Sequence, residues 1–303
     1  MPQRNVLYGR LRLTKEDNFG YIPDERMSST QTEFSSLLEA RYQDGKSFGL
    51  DGPLNPTIEL VLRRKSHRKF LPTPLAPGTL ESLIAVGSSA STSSLLQTWG
   101  VVAVQDSERK SKLATLAGDQ DFIRQAPLFL VFVADLHRIS KVCEKAGTKD
   151  AGLEKLDMFI MPTIDCALVA QNISIAAESL NLGICYVGAV RNNCAEICDL
   201  LRLPHRTVAL FGMAVGHPDP TEHASIKPRL GLDAVLHHEV WNDEDEQERL
   251  KSYNKALGTF YESEGKSGRR TWTEFTSRYF ESGNLDGREK MREVIMQRGF
   301  HIQ

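Results

Sequence analysis

The sequence predicts an α+β protein. Segments with helical periodicity outnumber the strand-like runs, and the two kinds do not alternate regularly, which argues against a doubly wound parallel sheet. One segment, Asp157 to Leu182, carries apolar residues almost all round a helix, including Phe159, Ile164, Leu168, Ile173 and Leu180. A helix of that kind is expected to be buried on every side, in a core that extends toward a subunit interface.

In chain order, residues 1 to about 55 read as a polar, partly ordered N-terminal extension. It has a Ser/Thr-rich stretch, turn clusters at Asp44-Gly45 and Asp51-Gly52-Pro53, and a short amphipathic helix from Phe34 to Tyr42. A single domain with a C-terminal helical excursion is expected over 56–303. Asn55-Pro56 marks its first helix start, because proline suits the first helical position. A helix follows over Leu80–Ser88 and a strand over Val101–Val104. Leu128–Ala134 is a short continuous apolar run rich in β-formers and predicts a buried strand. Asn181-Leu182-Gly183 predicts a glycine C-cap for the long helix. Ile184–Val187 then reads as a strand entering a Gly188-Ala189-Val190 turn, followed by a helix over Cys194–Leu201 and a strand over Val208–Val215. Helix is predicted over Glu246–Tyr261. The loop from Glu264 to Arg270 leads into two more helical stretches.

The 303 residues are 41% hydrophobic and 25% charged with a net charge of −2, which suits one large core and excludes a disordered chain. Neither nucleic acid nor membrane is an expected partner, since the chain is not basic overall and no uninterrupted apolar run spans a bilayer. The arginines near the start could belong to an organelle address, but nearby acids oppose it, and a cytoplasmic location is expected. Five scattered cysteines argue for a reducing compartment. Cys194 and Cys198 could share a helix face, as a pair of thiols or, with two further ligands, a zinc site; no metal is expected. Trp99, Trp241 and Trp272 read as packing residues.

Four segments can carry chemistry. Arg63–Lys69 holds five fixed cations in seven residues, either a solvated basic face or half of an anion site. Lys227-Pro228-Arg229 sets a lysine and an arginine about a proline that fixes the backbone between them. If the two met in space they would make a phosphomonoester socket. Ser88–Ser94 offers small donors or an ordinary polar loop. Tyr186–Val190 ends a strand at glycine, either as a tight turn or as backbone open to a flat ligand. There is no G-x-G-x-x-G or Walker loop.

Taken in order, Glu59–Phe70, Gly118–Gln120, Asp165–Asn172, Ala176–Gly183, Arg191–Asn193, Leu210–Gly212 and Lys227–Leu230 resemble the nitroreductase superfamily, within it the NADPH-dependent oxygen-insensitive nitroreductase and flavin reductase P group. The resemblance runs from about Pro56 to Gln303. It implies a central, mainly antiparallel sheet flanked by helices in an intertwined homodimer, with FMN bound at the subunit seam. By similarity, Arg64, Lys65, Ser66, Lys227 and Arg229 would anchor the FMN phosphate. Arg68 would face the pyrimidine edge as electrostatic support, with no protein residue acting as nucleophile or general base. Gln120 would bond the same ring, and the backbone of Val187, Gly188 and Ala189 would face it. Ser91, Thr92 and Ser93 would reach it from the other subunit. Lys266 and Arg269 would serve NADPH, and Arg288 the acceptor pocket. Three departures stand out: Arg64-Lys65 replaces a His-Arg pair, Ala189 replaces a glycine, and Glu264 replaces the leading arginine of the loop linked to NADPH, which leaves NADH as a second donor. The implied activity is ping-pong transfer from NADPH to nitroaromatic, quinone or flavin acceptors. The alternatives are another reaction on the same fold, such as dehalogenation or dehydrogenation, and a non-catalytic flavin-binding module.

Overall fold

The apolar run at 128–135 forms the strand around which the protein is built. The computed structural model describes residues 27–43 and 54–301. Four strands, β1 (Trp99–Val104), β2 (Leu128–Asp135), β3 (Gly183–Val187) and β4 (Thr207–Gly216), make one antiparallel sheet in the order β1-β2-β4-β3. Seven of the eight residues of β2 are buried, and Phe132 stacks on Phe211 of β4 at 4.9 Å. The strands β2 and β4 pair from Leu128↔Val215 to Asp135↔Thr207, with a register shift at Phe132/Val133. Truncating the buried Phe132 to alanine would cost about 3–5 kcal/mol.

Helices surround the sheet: α1 (Met27–Tyr42), α2 (Pro56–Arg63), α3 (Thr79–Ser88), α4 (Ser107–Leu116), α5 (Asp121–Gln125), α6 (His137–Ala146), α7 (Asp157–Ser179), α8 (Cys194–Leu200), α9 (Leu232–Val235), α10 (Glu246–Ser263), α11 (Trp272–Glu281) and α12 (Met291–Gln297). Asn55 caps α2 through its side chain, which accepts from Ile58 N at 2.9 Å, with Pro56 at the first helical position as predicted. The sequence reading passed over α4, α5 and α6, although Asp106 is a clear N-cap that accepts from Arg109 N at 2.8 Å. The turn clusters at 44–45 and 51–53 lie outside the described residues.

One expectation about α7 is corrected. Its end is capped by Asn181, not glycine. Asn181 takes the left-handed conformation (φ 58°), its N–H reaches Glu178 O, and Leu182 N reaches Ala177 O, each at 3.0 Å. Within a single chain α7 is not buried on every side. Met161, Asp165, Val169, Ile173 and Ala177 pack inward, whereas Ile160 (44%), Ile164 (53%) and Leu168 (43%) form an exposed stripe at four-residue spacing. Among the described residues α7 is the one helix long and apolar enough to cross a membrane. Its inward face packs on α3 and the sheet, and its buried Asp165 accepts from Ser93 N and from Thr98 N and Oγ1. Trp241 is also not a packing residue: it is 76% exposed and stacks on His237.

Candidate anion cleft and ring-binding edge

The basic run leaves the end of α2 and lies along the edge of the sheet. Ser66 bridges Ile184 in parallel register, His67 N donates to Ile184 O at 3.0 Å, and Leu71 N donates to His217 O at 2.9 Å. Such close approach needs glycine at 183, where a Cβ would stand 2.9 Å from both His67 Cγ and Pro218 Cγ. Gly183 therefore serves packing at the strand start rather than helix termination.

The loop that follows β4 brings Lys227-Pro228-Arg229 to the same place. Arg64, Lys65, Ser66, Arg68, Lys227, Arg229 and Lys266 line one cleft of about 210 Å³, together with Arg41, Glu222 and Glu264. Seven cationic side chains thus face two carboxylates. Burial, then the nearby Arg68, Arg269, Lys266 and Arg229, holds the Lys227 ammonium below the usual lysine range. Arg64 Nε and Nη2 are buried without a hydrogen-bond acceptor, although Glu178 Oε1 lies 3.5 Å from Nε. Buried guanidinium donors without acceptors beside a lysine strained by like charge are what a bound phosphate dianion would satisfy. The residues therefore fit a phosphomonoester.

The carboxylates in the cleft are engaged. Glu222 accepts from Arg68 N at 2.8 Å and stands 3.5 Å from His67 Nδ1, while burial keeps the His67 imidazole below its ordinary value, with Glu222 opposing the shift. Glu264 accepts from Ser225 Oγ at 2.6 Å and lies 3.7 Å from Lys266. Beside this cleft is a second, of about 640 Å³, which shares Lys227 and Arg229 and adds Arg269, Arg270, Tyr253, Tyr261 and Trp272. Arg269 sits over the Tyr261 ring at 5.1 Å.

At the far end of β3, about 13 Å from Ile184 at the usual strand rise, the backbone turns at Gly188–Arg191. Val187 is buried, and Gly188 and Ala189 are half-buried. Gly118, Gln120, Ala189 and Asn192 converge here, since a Cβ on Gly118 would meet the other three side chains at 3.8–3.9 Å. Gln120 Nε2 donates to Ala117 O at 2.8 Å. Arg288 Nε donates to Asn192 Oδ1 at 2.9 Å, and Gly287, at φ 95° against the Asn192 carbonyl, lets the chain come that close.

Ser91, Thr92 and Ser93 do not line the basic cleft within the chain. Ser93 N is tied to Asp165, thirteen positions before the Glu178 that faces Arg64, which at 1.5 Å per residue is about 20 Å along α7. No group of three or more potential metal ligands exists among the described residues. Cys194 and Cys198 lie buried with their sulfurs 4.0 Å apart, and His205 packs instead beside Gly299.

Sequence reasoning missed Arg41, Glu178, Asn192 and Glu222. Arg41 lies in the last turn of α1 and is only 8% exposed. Its one sequence signal is an arginine three and four positions after the buried Leu38 and Leu37, on the inward face of a helix.

Comparison with known proteins identifies the fold. The profile described as Nitroreductase family matches residues 61–217, and that of the Nitroreductase family, C-terminal domain, matches residues 227–303. The FMN reductase (NADPH) of Bacillus subtilis (strain 168) is 35% identical over 253 residues, 82% of this chain and 99% of that protein. The oxygen-insensitive NADPH nitroreductase of Salmonella typhimurium is 34% identical over 226 residues, 74% and 91% of the two chains. The solved structure of NfrA1 from B. megaterium superposes with a TM-score of 0.77 at 37% identity, covering 82% of this chain and all of that one. The antiparallel four-stranded sheet flanked by helices, the ordered set of motifs and these matches agree: the chain belongs to the nitroreductase family.

Proposed function

We propose that this protein is an FMN-dependent oxidoreductase that takes electrons from NADPH and delivers them to small nitroaromatic, quinone or free-flavin acceptors. The observation that carries the reading is the cleft where Arg64 and Lys227 meet, with buried guanidinium donors that lack acceptors, at the head of a strand whose other end offers Gly188 and Ala189 beside Gln120. The relatives' names, FMN reductase (NADPH) and NADPH nitroreductase, support it. FMN held there would supply the redox chemistry, hydride transfer from NADPH and delivery of the electron pair to an acceptor, and the reading implies ping-pong kinetics.

The chain's residues bind and orient. Arg64, Lys65, Ser66, Lys227 and Arg229 hold the phosphate. Arg68 stands at the pyrimidine edge, where its charge favours the more negative reduced ring. Gln120 donates to the same ring, and the backbone of Val187, Gly188 and Ala189 lines its reactive edge. A second copy of the chain covers the exposed stripe of α7 and brings Ser91, Thr92 and Ser93 of the partner subunit to the ring, so the working unit is a homodimer. Lys266 and Arg269 receive the NADPH 2′-phosphate, and Arg288, held by Asn192, borders the acceptor. Residues 56–303 form the catalytic domain and 1–55 an extension of it, working in the cytoplasm.

The test is spectroscopic. The purified protein should be yellow, release FMN on denaturation and bleach anaerobically when NADPH is added. A colourless protein that gains no flavin on incubation with FMN would overturn the reading.

A further inference from the structure

One guanidinium joins the two basic segments. Arg41 Nη2 donates to Leu62 O at 2.6 Å and Arg64 O at 2.8 Å, and Nη1 donates to Lys227 O at 3.2 Å. In return Arg41 O accepts from Arg229 N at 3.0 Å, and Gln43 Nε2 reaches Ile226 O at 3.4 Å. Leu62 and Arg64 stand at the end of α2, where carbonyls lack intrahelical partners, so Arg41 acts as a C-cap supplied from another helix. The helix that carries it, α1, packs on α2 and buries Leu37 and Leu38. It lies before the residues that the family profiles match. Burial, then Arg229 and Arg64, pushes the Arg41 guanidinium below its ordinary value, so its charge stands at a cost among like charges. A phosphate dianion would offset that cost.

We propose that α1 is a clasp on the cleft and that Arg41 is its positioning residue, fixing the spacing of Arg64 and Lys227 and so how tightly a phosphomonoester is held. Arg41 directs its donors at carbonyls and acts on the ligand through the segments it binds and through its charge. The clasp rests on the reading of the cleft as the FMN phosphate site. It assigns a role to part of the extension.

The experiment compares FMN with riboflavin, which lacks the phosphate, on full-length apoprotein of the wild type, Arg41→Ala and Arg41→Lys. Dissociation constants are read by flavin fluorescence quenching. Arg41→Ala should weaken FMN by about tenfold or more, the loss of at least one charge-assisted hydrogen bond, while riboflavin changes by less than roughly twofold. Arg41→Lys keeps the charge but cannot reach three carbonyls together, so it should fall between. Unchanged FMN affinity in Arg41→Ala, or equal weakening of both flavins, overturns the clasp. If Arg41→Ala does not fold, Arg41→Lys decides, and a wild-type ratio of the two constants overturns the clasp. A wild-type protein that binds FMN no better than riboflavin overturns the phosphate reading itself and the clasp with it.

Discussion

Arg64 Nε stands 3.5 Å from Glu178 Oε1, and both side chains are largely buried. Burial raises the Glu178 carboxyl above its usual range, with Arg64 and then Arg41 opposing the shift. Arg64 also lines the basic cleft, and its Nε and Nη2 are buried without a hydrogen-bond acceptor.

Removing Arg64 strands a buried carboxylate. Arg64→Ala should destabilise the apoprotein by about 1–3 kcal/mol in urea unfolding near neutral pH. A carboxyl raised in the folded state contributes most when protonated, so the deficit should shrink as pH falls toward the ordinary glutamate value. Adding Glu178→Gln to Arg64→Ala should recover the stability but not the FMN affinity. Recovery of both would show that Arg64 does not touch the phosphate.

Lys227 predicts an alkaline limit to cofactor binding. Its folded pKa lies below the usual value, and a phosphate dianion favours the protonated form. FMN affinity should therefore decline as pH rises through the lysine's lowered range, with proton uptake on binding at that pH. In Lys227→Met the affinity should be lower throughout and this limb absent. Parallel pH profiles for the two proteins would exclude Lys227 from the cleft's chemistry.

The exposed stripe of α7 predicts an obligate pair. Ile164→Asp puts a charge where the second copy should pack, and sedimentation should show a monomer in place of the wild-type dimer. FMN should be lost at the same time, because Ser91–Ser93 cannot reach the cleft along their own α7. A monomeric variant that keeps wild-type flavin would remove those serines from the site.

Arg269, stacked on Tyr261 beside Lys227, predicts donor choice. Arg269→Ala should raise KM for NADPH about five- to tenfold, the loss of one charge-assisted contact, and leave KM for NADH and the FMN content alone. Equal rises for both donors would mean that Arg269 only packs.

Strand β2 was legible because eight consecutive residues are buried or nearly so, a pattern that needs no partner to be read. The inward face of α7 was legible for the same reason. Its outer stripe was not, because an apolar residue looks the same whether its own chain or a second copy covers it. Gly183 was misassigned because Asn181 can take the left-handed position, while the need for a bare Cα at 183 arises from His67, distant in sequence. The meeting of Arg63–Lys69 with Lys227–Arg229 could be inferred from the chemistry of the two segments. Arg41 could not, since it spends its donors on carbonyls and carbonyls leave no mark in a sequence.

The grip on the phosphate can be observed through the phosphorus itself. Free FMN carries a phosphomonoester whose second proton leaves near pH 6, as for phosphate esters generally. Among the cations of the cleft the bound group should stay a dianion, so the phosphorus-31 resonance of the holoprotein should hold one dianionic shift from about pH 5 to 8. A bound resonance that titrates near pH 6 like free FMN would mean that Arg64 and Lys227 do not enclose it.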